Sequence, residues 1–165
     1  MIKLHNSELE IAVKLHGAEL CSIVKNGCEH LWNADPAIWA RHSPVLFPIV
    51  GRVWESRYRV LNREYSLPQH GFARDMDFTL IEQTPCSATF ALESNEETLA
   101  KYPYPFRLTI GYRIDGNKVI VSWDVENTGN GAMHFQIGAH PAFVLPDFDA
   151  ADPAPRGYFT FTGNK

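Results

Sequence analysis

Apolar and polar side chains alternate along most of this chain. Over residues 8–15, Leu9, Ile11, Val13 and Leu15 share one face, and Glu8, Glu10, Ala12 and Lys14 share the other. That is the period of a strand with one face buried. His16-Gly17 marks a turn, residues 18–25 return, and a third short strand is expected over 29–32. The alternation then lapses over residues 33–53, which include Pro36, Pro44 and Pro48. An irregular stretch of that length inside a domain is usually either functional or disordered. Trp39, Val45, Leu46 and Phe47 argue for a packed loop.

Strands resume at 58–61 and 64–67, joined through Asn62-Arg63 as a hairpin, and again at 78–82 and 86–93. Ser94 followed by Glu97 has the spacing of a capping box, so a short helix is expected to run to about Lys101, where Pro103 and Pro105 stop it. A long hairpin follows, with Asp115-Gly116 at its tip. One arm alternates Phe106, Leu108, Ile110, Tyr112 and Ile114; the other alternates Val119, Val121, Trp123 and Val125, and this pattern puts Trp123 in the core. Further strands are expected over 132–140 and 157–162, separated by an irregular loop over 145–156. Nine or more short antiparallel strands with one helix define an all-β sandwich. Phe159 and Phe161 alternate on the last strand, and the unpaired edge they imply suggests a larger sandwich and association through that strand, as in a homo-oligomer.

Composition narrows the field of partners. The 15 basic and 19 acidic residues give a net charge of −4 with no block of one sign, which argues against nucleic acid or an anionic membrane as partner. No apolar run approaches the roughly 18 residues of a membrane span, and the first residues lack the apolar segment of a secretory signal. Cys21, Cys28 and Cys86 are widely spaced in apolar contexts and read as buried thiols of a cytoplasmic protein.

Two histidines stand out chemically. His140 lies in Ile137-Gly-Ala-His-Pro-Ala-Phe143, where Pro141 biases His140 toward an extended backbone and Gly138 allows a close approach to the strand. His70 lies in Gln69-His-Gly-Phe-Ala-Arg-Asp75, with Gly71 supplying a turn. A positioned histidine titrates near neutrality and serves as an acid or a base. His134 and Gln136 share the alternation face of His140, either as a polar wall or as a solvated outer face. Trp32, Trp39 and Trp54 flank the irregular segment, where a ring could stack on a sugar or simply pack the loop.

The motifs Glu19-Leu-Cys-Ser-Ile23, Leu31-Trp32, Arg41-His-Ser-Pro-Val-Leu-Phe-Pro-Ile-Val-Gly-Arg52, Gln69 to Arg74, Ser94 to Thr98 and Ile137 to Phe143, in that order, resemble the aldose 1-epimerase (galactose mutarotase-like) family and within it the LacX-like branch. The resemblance implies a β-supersandwich that interconverts the α and β anomers of a hexose without a cofactor. An acid protonates the ring oxygen while a base removes the anomeric hydroxyl proton, and the opened aldehyde rotates before the ring closes again. By the family pattern His140 is the general acid, His70 the second active-site histidine, and Arg52 the donor fork on the sugar hydroxyls. Arg74 has two readings, a phosphate ligand for a sugar phosphate or a salt bridge to Asp75 or Asp77. Phe143 is expected to line the pocket beside His140. The family's general base is a glutamate beyond the last residue of this sequence, so the chain reads as the N-terminal part of a single epimerase-like domain, impaired in catalysis. Two other classes fit less of the pattern: a carbohydrate-binding module without turnover, and a metal-dependent cupin-type enzyme using His70, His134 and His140.

Overall fold

A computed structural model describes residues 1–145, 149, 151–152 and 157–163. The first sheet is antiparallel and keeps chain order: β1 (Ile2–His5), β2 (Leu9–Val13), β3 (Leu20–Lys25) and β4 (Cys28–Glu29). The irregular segment holds the two-residue strand β5 (Val45–Leu46), and the hairpin β6 (Arg57–Val60) and β7 (Arg63–Ser66) follows it. Strands β8 (Thr79–Gln83), β9 (Ser87–Glu93), β10 (Phe106–Asp115) and β11 (Lys118–Asn127) build the second antiparallel sheet in the order β11-β10-β9-β8. Helix α1 (Glu96–Lys101) links β9 to β10, and β12 (Gly138–Ala139) pairs with β5. The architecture is an antiparallel β-sandwich, as the alternation predicts.

One hydrophobic cluster serves both sheets. Leu4, Ile11 and Val13 on one side and Phe90, Leu108 and Ile110 on the other are wholly buried. Phe47 anchors an aromatic group at the end of this core, with ring centroids 5.0 Å from Phe106, 6.1 Å from Tyr102 and 6.4 Å from Phe72. Burying a side chain of this size contributes about 1.5–3 kcal/mol, which is why the irregular segment carrying Phe47 is held in place despite its short strand. The Tyr112 hydroxyl donates to the Ala18 carbonyl at 2.7 Å and ties the two sheets together.

Several sequence expectations are corrected. The helix is capped one residue later than expected: Asn95 accepts the Thr98 amide at 3.0 Å, and Thr98 Oγ1 accepts the Asn95 amide at 2.8 Å. Ser94 instead accepts the Phe106 amide and holds the start of β10. The strand expected over 132–140 shrinks to Gly138–Ala139, and residues 157–163 form no strand. Most of the loop expected over 145–156 lies outside the described residues. Cys28 is exposed rather than buried, because β4 is a two-residue edge strand. Leu15, expected on the inner face, lies past the end of β2 and is 43% exposed.

Trp123 is 41% exposed. It pairs in register with the buried Ile110, so it has the inward orientation that the alternation predicts. But β11 is the outermost strand, and an apolar groove rather than a packed side chain lies over this part of the face.

Candidate active site

The site is assembled from three loops around the β5–β12 pair. Register places Gly138 opposite Leu46 and Ala139 opposite Val45. The His140 amide then donates to the Pro44 carbonyl at 3.1 Å, and the Ala142 amide to the His42 carbonyl at 3.0 Å. On the other side, the Trp32 amide donates to Ala142 at 2.9 Å, and the Val144 amide to His30 at 2.9 Å. The extended backbone that Pro141 favours is thus hydrogen-bonded along both edges. Gly138 does permit a close approach, and the neighbour is the Val50 side chain, 3.2 Å from where a Cβ would stand.

Segment 42–46 is itself fixed from beneath. The buried Glu19 carboxylate accepts the amides of His42 at 2.8 Å and Ser43 at 2.9 Å and forms an ion pair with Lys14. Burial by itself raises the pKa of Glu19, but the Lys14 ammonium and the two amides outweigh it, so the carboxyl titrates below its ordinary range. Glu19 thus positions the backbone of His42 and Ser43, a role that sequence reasoning missed. A lone acid between Ala18 and Leu20, where a strand face turns inward, was the available signal.

His70 is reached from a different direction. Gly71 has φ +71°, and the Phe47 carbonyl oxygen lies 2.1 Å from where its Cβ would stand, so only glycine fits between His70 and the core. His70 itself has φ 66°. Its amide donates to the Gly51 carbonyl at 2.7 Å, and its Nδ1 accepts the Gly51 amide at 2.9 Å. Nδ1 is therefore the acceptor nitrogen, and the neutral ring carries its proton on Nε2, which requires the Gln69 side-chain amide, 3.3 Å from Nε2, to turn its oxygen toward that proton. Burial, then the positive charges of Arg74 and His140, lower the pKa of His70 and favour this neutral form.

These loops bring His70 and His140 together, with ring centroids 6.4 Å apart although the residues are far apart in sequence. Trp39 lies against the His140 ring at 5.1 Å and 45°, and its carbonyl is held by the Trp32 indole N–H at 2.8 Å. Arg52 is exposed in the loop that braces His70, without a hydrogen bond or ion pair among the described residues, while Glu55 pairs with Arg57 instead. Its guanidinium is free to meet a ligand. Arg74 is different. Its side chain is only 17% exposed, one Nη donates to the Gln69 carbonyl at 2.7 Å, and Nε lies 3.6 Å from Asp75. Of its two sequence readings, the salt bridge to Asp75 is the one seen, and the residue clamps the loop that carries His70.

Residues 1–152 match the sequence profile of the Aldose 1-epimerase family. The chain belongs to that family. It is 39% identical over 153 residues to the chromosomal LacX protein of Lactococcus lactis subsp. lactis, an alignment covering 88% of this chain and 51% of LacX. Among solved structures, it is similar to a galactose mutarotase related enzyme from Lactobacillus acidophilus, with TM-score 0.88, 38% identity, and coverage of 92% of this chain and 51% of that one. It is also similar to a galactose mutarotase-like protein from Lactobacillus casei ATCC 334, with TM-score 0.84, 36% identity, and coverage of 87% and 49%. The chain spans about half the length of these relatives.

Two residues of this family member lie apart from the histidine pair. Phe143 pairs with Leu31 and, with Ala139 and Pro141, lines the apolar groove over β11. The alternation along 139–143 explains why: the odd positions meet the groove, whereas His140 meets Trp39 and His70. His134 packs against Tyr104 at 6.2 Å, away from a three-histidine arrangement. Among the described residues, the His, Cys and carboxylate ligand atoms of Glu19, Cys21 and His42 lie within 4.8 Å of one another, but the Lys14 ammonium already occupies that carboxylate. No described helix is long and apolar enough to cross a membrane.

Proposed function

We propose that this chain carries the acid side of an aldose 1-epimerase site, interconverting the α and β anomers of a hexose. The convergence of His70 and His140 beside Trp39, at the end of a β-sandwich of the epimerase family, supports this reading. In it, His140 protonates the ring oxygen and takes the proton back on closure. Neutral His70 donates from Nε2 to a neighbouring sugar oxygen, Arg52 holds hydroxyls through its planar donors, and the Trp39 ring faces the apolar side of the sugar. Among the described residues no carboxylate hydrogen-bonds to either histidine, and Asp75 is engaged by Arg41 and Arg74. In this reading the base that accepts the anomeric hydroxyl proton is supplied from outside the described residues. The chemistry requires no cofactor, and the location that fits it is the cytoplasm.

That same missing carboxylate favours one alternative, a module that binds the sugar without turning it over. Polarimetry of fresh α-glucose and α-galactose, with the chain and with His140→Ala, separates the two. The expected result is weak acceleration of anomer exchange by the chain, falling to the buffer rate in the variant. Saturable sugar binding by folded protein with no acceleration selects the binding module.

A further inference from the structure

We propose that Gln136 is a positioning residue for His70: its side-chain oxygen holds the backbone at 50–51 so that the Gly51 amide meets Nδ1 of His70, which ties the His70 ring to the segment that carries His140. The assignment deepens the proposed function and rests on that reading for its part in the reaction, because His70 is one of the two histidines given to the sugar. The geometry itself does not depend on turnover.

The ladder around β12 is the first observation. Gln136, His140 and Ala142 donate their amides to the carbonyls of Pro48, Pro44 and His42 at 2.9, 3.1 and 3.0 Å, in one antiparallel register with the Gly138–Leu46 pair. One further step of that register would set Val50 opposite His134 and give the Val50 amide the His134 carbonyl. The ladder stops short of it. The His134 carbonyl accepts the Tyr102 hydroxyl at 2.9 Å, and the Val50 amide donates to Gln136 Oε1 at 3.0 Å. A side chain thus supplies the acceptor that the strand no longer does. Because a backbone amide only donates, the carboxamide is fixed with its oxygen toward Val50.

What this bond controls is the second observation. Gly51 follows directly with φ +84°, and its amide and carbonyl make the two hydrogen bonds to His70 at 2.9 and 2.7 Å. The successive amides of Val50 and Gly51 therefore point at acceptors on two different segments. Loosening the first lets the Val50 backbone rotate and carries the Gly51 amide away from the imidazole. Val50 also closes the joint from its side chain, with Cγ2 3.2 Å from where a Cβ of Gly138 would stand. Gln136 is itself exposed and takes no place in the hydrophobic core, so what it contributes is direction.

The test uses the full 165-residue chain with isotopically labelled nitrogen. Nitrogen–nitrogen coupling across the hydrogen bond from Gly51 to His70 Nδ1 is recorded by NMR, with amide exchange in β9 and β10 as the control for folding. The parent chain is expected to show the coupling and a His70 ring protonated on Nε2. Gln136→Leu is expected to abolish the coupling, to mix the two ring tautomers, and to speed exchange at the Val50 and Gly51 amides by about ten-fold or more. Gln136→Glu, whose carboxylate accepts the same amide, is expected to keep the parent behaviour in all three. Gln136→Ala repeats the loss should the leucine variant not fold.

An unchanged coupling in folded Gln136→Leu or Gln136→Ala overturns the proposal, even where stability has dropped, since that is the mark of a glutamine with a structural part only. Absence of the coupling from the parent chain, or its loss in Gln136→Glu as well, overturns it too. A coupling that is present and lost as expected, in a chain that does not accelerate anomer exchange, supports this assignment and counts against the catalytic reading alone.

Discussion

Gly51 donates its amide hydrogen to Nδ1 of His70 at 2.9 Å, and the His70 amide returns a hydrogen bond to the Gly51 carbonyl at 2.7 Å. The pair locks two loops together and decides which ring nitrogen of His70 faces outward with a proton. A protonated Nδ1 would lose this bond, so the site is built around a neutral His70.

The His70 titration midpoint therefore lies below the ordinary histidine value of 6.5, through burial first and then through Arg74 and His140. Because the folded state binds this proton less readily than the unfolded chain, the contribution of His70 to stability is complete above about pH 6.5 and is lost as pH falls toward the folded midpoint. NMR titration of the imidazole is expected to show the low midpoint, with a rise in Arg74→Met. A midpoint at or above 6.5 in the native protein contradicts the hydrogen-bonding scheme.

Glu19→Ala is expected to destabilise the chain by about 3–5 kcal/mol in urea unfolding, since it leaves Lys14 and two amides facing a buried gap. Because the pKa of Glu19 is lowered, its stabilisation is present above the ordinary carboxylate range and is lost as pH falls through the folded value. Faster amide exchange at His42 and Ser43 is expected in Glu19→Gln. A loss confined to global stability, with those two amides unchanged, argues against Glu19 as the anchor of the His140 segment.

Gly71→Ala has no room. A methyl group there meets the Phe47 carbonyl oxygen at 2.1 Å, in a backbone conformation that side chains rarely adopt. The strain and displacement are expected to cost at least about 3 kcal/mol and to separate His70 from His140. Unfolding curves and the His70 chemical shift report the two effects, and a variant of native stability rules out the close approach.

Ile110 and Trp123 are register partners with opposite expectations. Ile110→Ala removes a wholly buried side chain and is expected to cost about 2–5 kcal/mol. Trp123→Ala, at 41% exposure, is expected to cost about 1 kcal/mol. Equal losses in the isolated chain would mean that Trp123 is core after all.

Much of the fold was legible because strands with one buried face write their period into the sequence. Residues 106–115 read as a strand, and every second side chain from Phe106 to Ile114 is buried. The helix cap was misplaced because Ser94 and Asn95 both offer a short side-chain oxygen; the choice went to the one whose partner, Thr98, is buried and returns the bond. The strand expected over 132–140 was over-read because Met133 and Ile137 reach the core from irregular backbone, and β5, the strand that Gly138–Ala139 pairs with, is only two residues long.

The sequence alone determined the period-two elements, the hairpin of β10 and β11, and the identity of the two loop histidines, all of which depend on neighbours close in the chain. Tertiary structure alone decided that His70 and His140 meet, that Arg74 serves its own loop while Arg52 stays open, that Phe143 turns from His140 toward the groove, and that Trp123 faces inward without being covered. Each of these depends on which distant segment comes to lie beside a residue. Local periodicity sets the direction in which a side chain points, and the packing of remote segments determines what it meets there.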